Sequence, residues 1–103
     1  MRFEWDAEKN RRNFAKHKVS FELAEQVFDD PWAQSFPDRN VAGEERSHTV
    51  GLVRRTTGGF VLVLVAHSSK DEGGEEVIRI ISARKATPRE RRVYEEGDKI
   101  QIR

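Results

Sequence analysis

Residues Phe60–Glu90 read FVLVLVAHSSKDEGGEEVIRIISARKATPRE. This stretch decides the fold. Phe60–Ala66 is apolar at every position, as expected of a central strand covered on both faces. SKDEGGEE is a turn, and VIRIISAR is a second strand. In that strand, strict alternation places Ile78, Ile80 and Ser82 on one face, with Val77, Arg79, Ile81 and Ala83 on the other. A helix follows. Thr87 is its cap, Pro88 its first residue and Glu90 its third, which is a capping box. Gly97 is the expected stop.

Upstream, RSHTVGLVR (Arg46–Arg54) alternates and places His48, Val50 and Leu52 on one face. TTGG then marks a hairpin. PDRNVAGEE, ending at Glu45, reads as a loop, and WAQSFP as a short strand. VSFELAEQVFDDP is an amphipathic helix capped by Ser20, with Phe21, Ala24, Val27 and Phe28 on one stripe. Asp29-Asp30-Pro31 ends it. Asp6 caps an earlier helix running to about His17, and RFEWD before it is a short half-buried strand. The expected fold is therefore α+β: a small antiparallel sheet of three to four main strands plus the short N-terminal strand. Two N-terminal helices and one C-terminal helix are expected to pack on one face of it. Residues 1–97 form a single domain. The tail 98–103, DKIQIR, adds an edge strand or stays mobile.

The 103 residues suffice for one modest core. The sequence holds no cysteine. That excludes a disulfide framework and a thiolate zinc site, and it suits a reducing cytoplasm. MRFEWDAEKN lacks the apolar core of a signal peptide, and no apolar run is long enough to span a bilayer. His17, His48 and His67 have no HxH or HExxH spacing, so neither a metal nor a cofactor is expected.

Net charge is +1, but it is unevenly spread. Met1–Lys18 has six basic residues against three acidic, and Ser20–Glu45 one against seven. Arg79–Arg92 gathers Arg79, Arg84, Lys85, Arg89, Arg91 and Arg92 around one acid, Glu90. Cations at a helix start oppose its dipole. Their gathering suits a phosphodiester backbone. From residues alone, a non-catalytic nucleic-acid-binding module or a protein-interaction module accounts for this cluster as well as an enzyme does.

Three blocks carry a resemblance. They are F-x-W-D-x-x-K-x-x-x-N from Phe3, H-x-V-S-F from His17, and I-S-A-R-x-A-x-x-x-E-R from Ile81. In this order the chain resembles the BrnT family, the toxin halves of bacterial type II toxin–antitoxin pairs. The resemblance implies a fold similar to RelE-type ribonucleases, metal-independent RNA cleavage and arrest of translation. It also implies a BrnA-like antitoxin in a hetero-oligomer, with operator DNA reached only through that antitoxin. By position in the third block, Arg84 is the first choice for stabilising the phosphate, followed by Arg79 and Lys85. His67 or Glu90 is then the base, and Tyr94 or His67 the acid. Arg89, Arg91 and Arg92 hold flanking phosphates. One departure stands out. Family members often place glycine after the histidine of the second block, where this chain has Lys18. A lysine there enters left-handed backbone only at a cost.

Overall fold

The computed structural model describes residues 1–38 and 46–102, with 98–102 by backbone alone. The loop expected before Arg46 falls mostly in 39–45, outside the described residues. The elements are β1 (Arg2–Glu4), α1 (Ala7–His17), α2 (Phe21–Ala24), β2 (Gln34–Pro37), β3 (Arg46–Arg54), β4 (Phe60–Glu72), β5 (Glu75–Lys85) and α3 (Pro88–Ile102). They build the α+β architecture that the periodicity predicts. The sheet has five strands in the order β1-β5-β4-β3-β2. It is mixed and not wholly antiparallel, because β1 pairs parallel to β5.

β4 lies at the sheet's centre, which explains its unbroken apolar run. Val63 and Val65 enter a core with Val19, Phe21, Ala24, Val27 and Val53. Leu62 and Leu64 point the other way, toward Val50, Phe36, Ala86 and Tyr94. The helices do not share one face as expected: α1 and α2 cover one face of the sheet and α3 part of the other, because β4 is apolar on both sides. The β4–β5 turn is made by Gly73 and Gly74, at φ 62° and 87°. Two successive positive φ values are what a tight hairpin following the sheet's twist requires.

Besides the mixed sheet, the helices on two faces, and the narrowing of the SKDEGGEE turn to Gly73-Gly74 as β4 runs on to Glu72 and β5 starts at Glu75, three details differ from the sequence reading. The second helix is short: its α-helical part ends at Ala24, and Glu25–Asp29 continues as a 3-10 turn. Ser20 caps it as expected, accepting from the Leu23 N–H at 3.0 Å. The last helix does not stop at Gly97 but continues to Ile102, so the tail prolongs a helix and adds no strand. Gly97 has a different use. A Cβ there would collide with the Gln34 side chain, so its absence lets α3 lie close over β2.

The third difference decides the site. Ser82 pairs with Ala66, but Ile80 pairs with His67, which leaves Ile81 as an extra residue in β5. This β-bulge reverses the alternation. Ala83 joins Ile78 and Ile80 in the helix-covered core, instead of sharing a face with Arg79. Arg79 and Arg84 are five positions apart, which strict alternation sends to opposite faces. The bulge puts them on one.

α1 secures this irregular strand. β1 covers β5 only along Val77–Arg79. Beyond that, buried Asn13 takes the place of a neighbouring strand. Its Oδ1 accepts the Ala83 N–H at 3.2 Å, and its Nδ2 donates to the Ala83 carbonyl at 2.8 Å and to the Val19 carbonyl at 2.9 Å. One turn earlier, Asn10 accepts the Phe21 N–H at 2.9 Å and donates to Glu22 at 2.9 Å. α1 has little apolar surface, so these two amides carry much of its attachment. It ends with Lys18 at φ 61°, left-handed backbone that a lysine enters at a cost, and the Lys18 N–H reaches the Phe14 carbonyl. Replacing Asn13 with alanine strands three buried backbone groups. The expected cost is roughly 2–4 kcal/mol, read as a lower urea midpoint with an unchanged slope. A loss below about 0.5 kcal/mol, the range of ordinary surface substitutions, contradicts this role.

Candidate nucleic-acid interface

Register across β3, β4 and β5 arranges the sheet face on the α3 side in rows. Arg46, Ser68 and Arg79 form one row; His48, Ala66 and Ser82 the next; Val50, Leu64 and Arg84 the third. α3 packs over the apolar part of this face, against β3 and β2. The first two rows lie beyond it, with Arg79 and Ser82 exposed and His48 half-buried. His48 and Ser82 stand two strand spacings apart, about 10 Å. Only the methyl of Ala66 lies between them, so the pair flanks a shallow trough. Arg79 and Arg84 lie at its two ends along β5.

Arg84 is tightly held. Its two terminal nitrogens donate to the two Glu90 carboxylate oxygens at 2.8 and 2.9 Å, and Nη1 also reaches the Lys85 carbonyl at 3.2 Å. Glu90 in turn accepts the Thr87 N–H at 2.8 Å, while the Glu90 N–H donates to Thr87 Oγ1 at 3.2 Å. The capping box thus holds the arginine as well as the helix. The pairing raises the Arg84 pKa and lowers that of Glu90. A guanidinium has five N–H groups. Three are used here, leaving Nε–H and one Nη2–H uncommitted. Arg79 is looser, 3.7 Å from Glu4 and about half exposed. Across the trough, His48 Nε2 lies 3.7 Å from Asp38 Oδ2, and its ring meets Phe36 edge-on at 5.5 Å.

The other expected site residues divide. Glu90 is at this face, but as the partner of Arg84. Tyr94 lies one helical turn after Glu90 on α3. Its hydroxyl donates to Asp30 at 2.8 Å, and the same carboxylate oxygen accepts the Leu52 N–H. Tyr94 therefore pins α3 to β3. Arg89, Arg91 and Arg92 are exposed on α3, and none forms an ion pair with another described side chain. His67 and Lys85 are not brought to the site. Both point to the helix-covered side. His67 is buried, 2.7 Å from Thr49 Oγ1 and edge-on to Phe28 at 4.9 Å. Sequence reasoning passed over Arg46, His48 and Ser82. The alternation of RSHTVGLVR already put Arg46 and His48 on one face, but placing Ser82 with them required the bulge.

Among the described residues no group of three or more acidic or histidine side chains is arranged to hold a metal. No helix there is long and apolar enough to cross a membrane. The sequence was also compared with known proteins. A family model described as the ribonuclease toxin, BrnT, of type II toxin–antitoxin systems matches residues 5–90. No curated protein matches the chain.

Burial lowers the His67 pKa, since the charged ring loses water, and its contact with the Ser68 backbone opposes this only in part. The unfolded chain therefore binds a proton here more readily than the folded one. Stability should fall as pH drops below about 6.5 toward the lowered folded value. Urea melts between neutral pH and pH 5 measure this. His67→Gln should flatten the slope across that window, and an unchanged slope contradicts the assignment.

Proposed function

The chain belongs to the BrnT family of ribonuclease toxins from type II toxin–antitoxin systems, and we propose that it cleaves RNA without a metal ion and thereby arrests translation. The observation that carries this reading is the shared, open face of Arg79 and Arg84, with Ser82 and His48 between and across from them. In metal-free cleavage the 2′-hydroxyl attacks the adjacent phosphorus. Its proton goes to a base, the 5′-oxygen leaves with a proton from an acid, and a cyclic phosphate remains. Negative charge grows on the phosphate oxygens, and preorganised cations stabilise it. Arg84, already oriented by Glu90, donates from its free N–H groups. Arg79 binds a second oxygen or the flanking phosphate. Arg89, Arg91 and Arg92 extend the positive track along α3.

His48 takes the acid–base role in this reading. It sits at the trough, with Asp38 beside it to orient the ring. Of the groups first considered for that role, His67 faces the opposite side, Glu90 is committed to Arg84, and Tyr94 to Asp30. Glu90 acts through Arg84 as a positioning residue. A BrnA-like antitoxin then neutralises the toxin in a hetero-oligomer and carries any contact with operator DNA. The cytoplasm, where translation occurs, is the compartment this activity needs.

Wild-type protein should cleave RNA in EDTA and arrest growth when expressed without its antitoxin. Arg79→Ala, Arg84→Ala and His48→Ala should each lower cleavage on the order of 10²-fold, with melting behaviour close to wild type for Arg79→Ala and His48→Ala. Growth should recover in the same variants. Salt-sensitive RNA binding with no cleavage, even with ribosomes present, instead favours a non-catalytic binding module. Full activity in all three variants places the chemistry elsewhere.

A further inference from the structure

On the opposite side of the sheet, a cleft of about 510 Å³ opens between the end of α1, the start of α2, the β3–β4 turn and the end of β5. Its size is in the range of dedicated ligand sites. Phe14, Leu23 and Val61 supply an apolar lining, and Lys18, Arg55 and Lys85 supply cations. Phe14 is 50% exposed, so its ring offers open apolar surface beside Leu23 and Val61. Among the described residues, none of the three cations pairs with a carboxylate. Glu22, the one acid in the wall, already accepts from the Asn10 amide at 2.9 Å. The cleft therefore has an apolar centre with three cations against one carboxylate around it, a net positive wall.

We propose that this cleft docks an acidic peptide segment of the antitoxin, with a bulky apolar side chain between its carboxylates. The charge is complementary, and the apolar lining takes the side chain that a phosphodiester lacks. A nucleic acid fits less well. The Lys18 ammonium lies over the Phe14 ring, 5.9 Å from its centroid, on the surface where a base would stack. The cleft is also separated from the trough of Arg79 and Arg84 by the thickness of the sheet. A segment bound here anchors the antitoxin while other parts of it reach the cleavage face. The left-handed backbone at Lys18 ends α1 and brings that lysine to the cleft. Lys85 follows Arg84 in β5, so neighbouring residues serve opposite faces. This inference requires only that the family's antitoxin is a protein, and it stands apart from the roles given to Arg79, Arg84 and His48.

The test uses three probes with isotope-labelled full-length protein: the peptide Glu-Asp-Leu-Glu-Phe-Leu-Asp-Glu, its Gln/Asn counterpart, and hexauridylate. The acidic peptide should shift the backbone amides of Phe14, Lys18, Arg55 and Lys85 saturably, and the uncharged peptide should bind far more weakly. A Lys18→Glu/Arg55→Glu double variant should lose on the order of tenfold or more in peptide affinity while keeping its fold and its RNA cleavage rate. The proposal is overturned if no amide in the cleft shifts at millimolar peptide, or if the uncharged peptide binds equally. It is also overturned if hexauridylate is the probe that binds there, or if the double variant loses cleavage, either of which makes the cleft part of the RNA path.

Discussion

Asn13 reaches from α1 to the uncovered edge of β5 and satisfies both backbone groups of Ala83. The proposed site depends on this contact. β5 carries an extra residue, Ile81, opposite the Ala66–His67 step of β4. A bulged strand with one edge uncovered is less firmly held in register, and a one-residue slip sends every side chain to the other face. Asn13 fixes Ala83 just past the bulge, with all three of its own hydrogen-bonding groups used. Ala83 is thereby held in the core and Arg84 at the open face. β1 fixes the stretch before the bulge, including Arg79, by parallel pairing. The two arginines are thus placed by two different elements, both from the first strand–helix unit of the chain.

The same economy appears at the start of α3. Of the six clustered cations, Arg84, Arg89, Arg91 and Arg92 stand at or just inside that helix start, in a place where positive charge opposes the dipole. Glu90 offsets this locally. It caps the helix through Thr87 and holds the Arg84 guanidinium in a bidentate pair that leaves two N–H groups free. The result resembles the preorganised donor of a catalytic site more than a simple surface ion pair. Its side chains are partly shielded, and the arginine is oriented before any ligand arrives. The remaining cations of α3 have no such partner among the described residues, so their mutual repulsion remains for an anion to relieve.

Much of this was legible in the sequence, and what was missed has identifiable causes. Alternation and apolar runs gave β3, β4 and β5, and capping residues gave the helix starts at Asp6, Ser20 and Thr87, the last as a capping box. These signals are local, and local chemistry decides them. The bulge was missed because an alternating pattern was assumed to continue through Ile80-Ile81, two adjacent isoleucines that themselves break the period. That one error put Ala83 on the wrong face and concealed that Arg79 and Arg84 share one. His67 was expected as base or acid on the strength of the resemblance, although the hairpin already put it nearer the turn than the cations. Its neighbours Thr49 and Phe28 come from β3 and the 3-10 turn, and nothing local announces that it is buried. Asn13 was passed over for the same reason: a polar residue in a polar helix gains meaning only from a partner seventy positions away. Gly97 looked like a stop, but glycine serves close approach as well as chain reversal.

The central claim is that RNA lies across the sheet face where the bulge brings Arg79 and Arg84 together. Titrating isotope-labelled protein with an uncleavable 2′-O-methyl oligoribonucleotide tests it most directly. The account predicts saturable shifts at His48, Arg79, Ser82 and Arg84, weakening steeply as salt rises, with Phe14 and Lys18 unmoved. Shifts confined to Phe14, Lys18 and Lys85, with the bulged face silent, would contradict it.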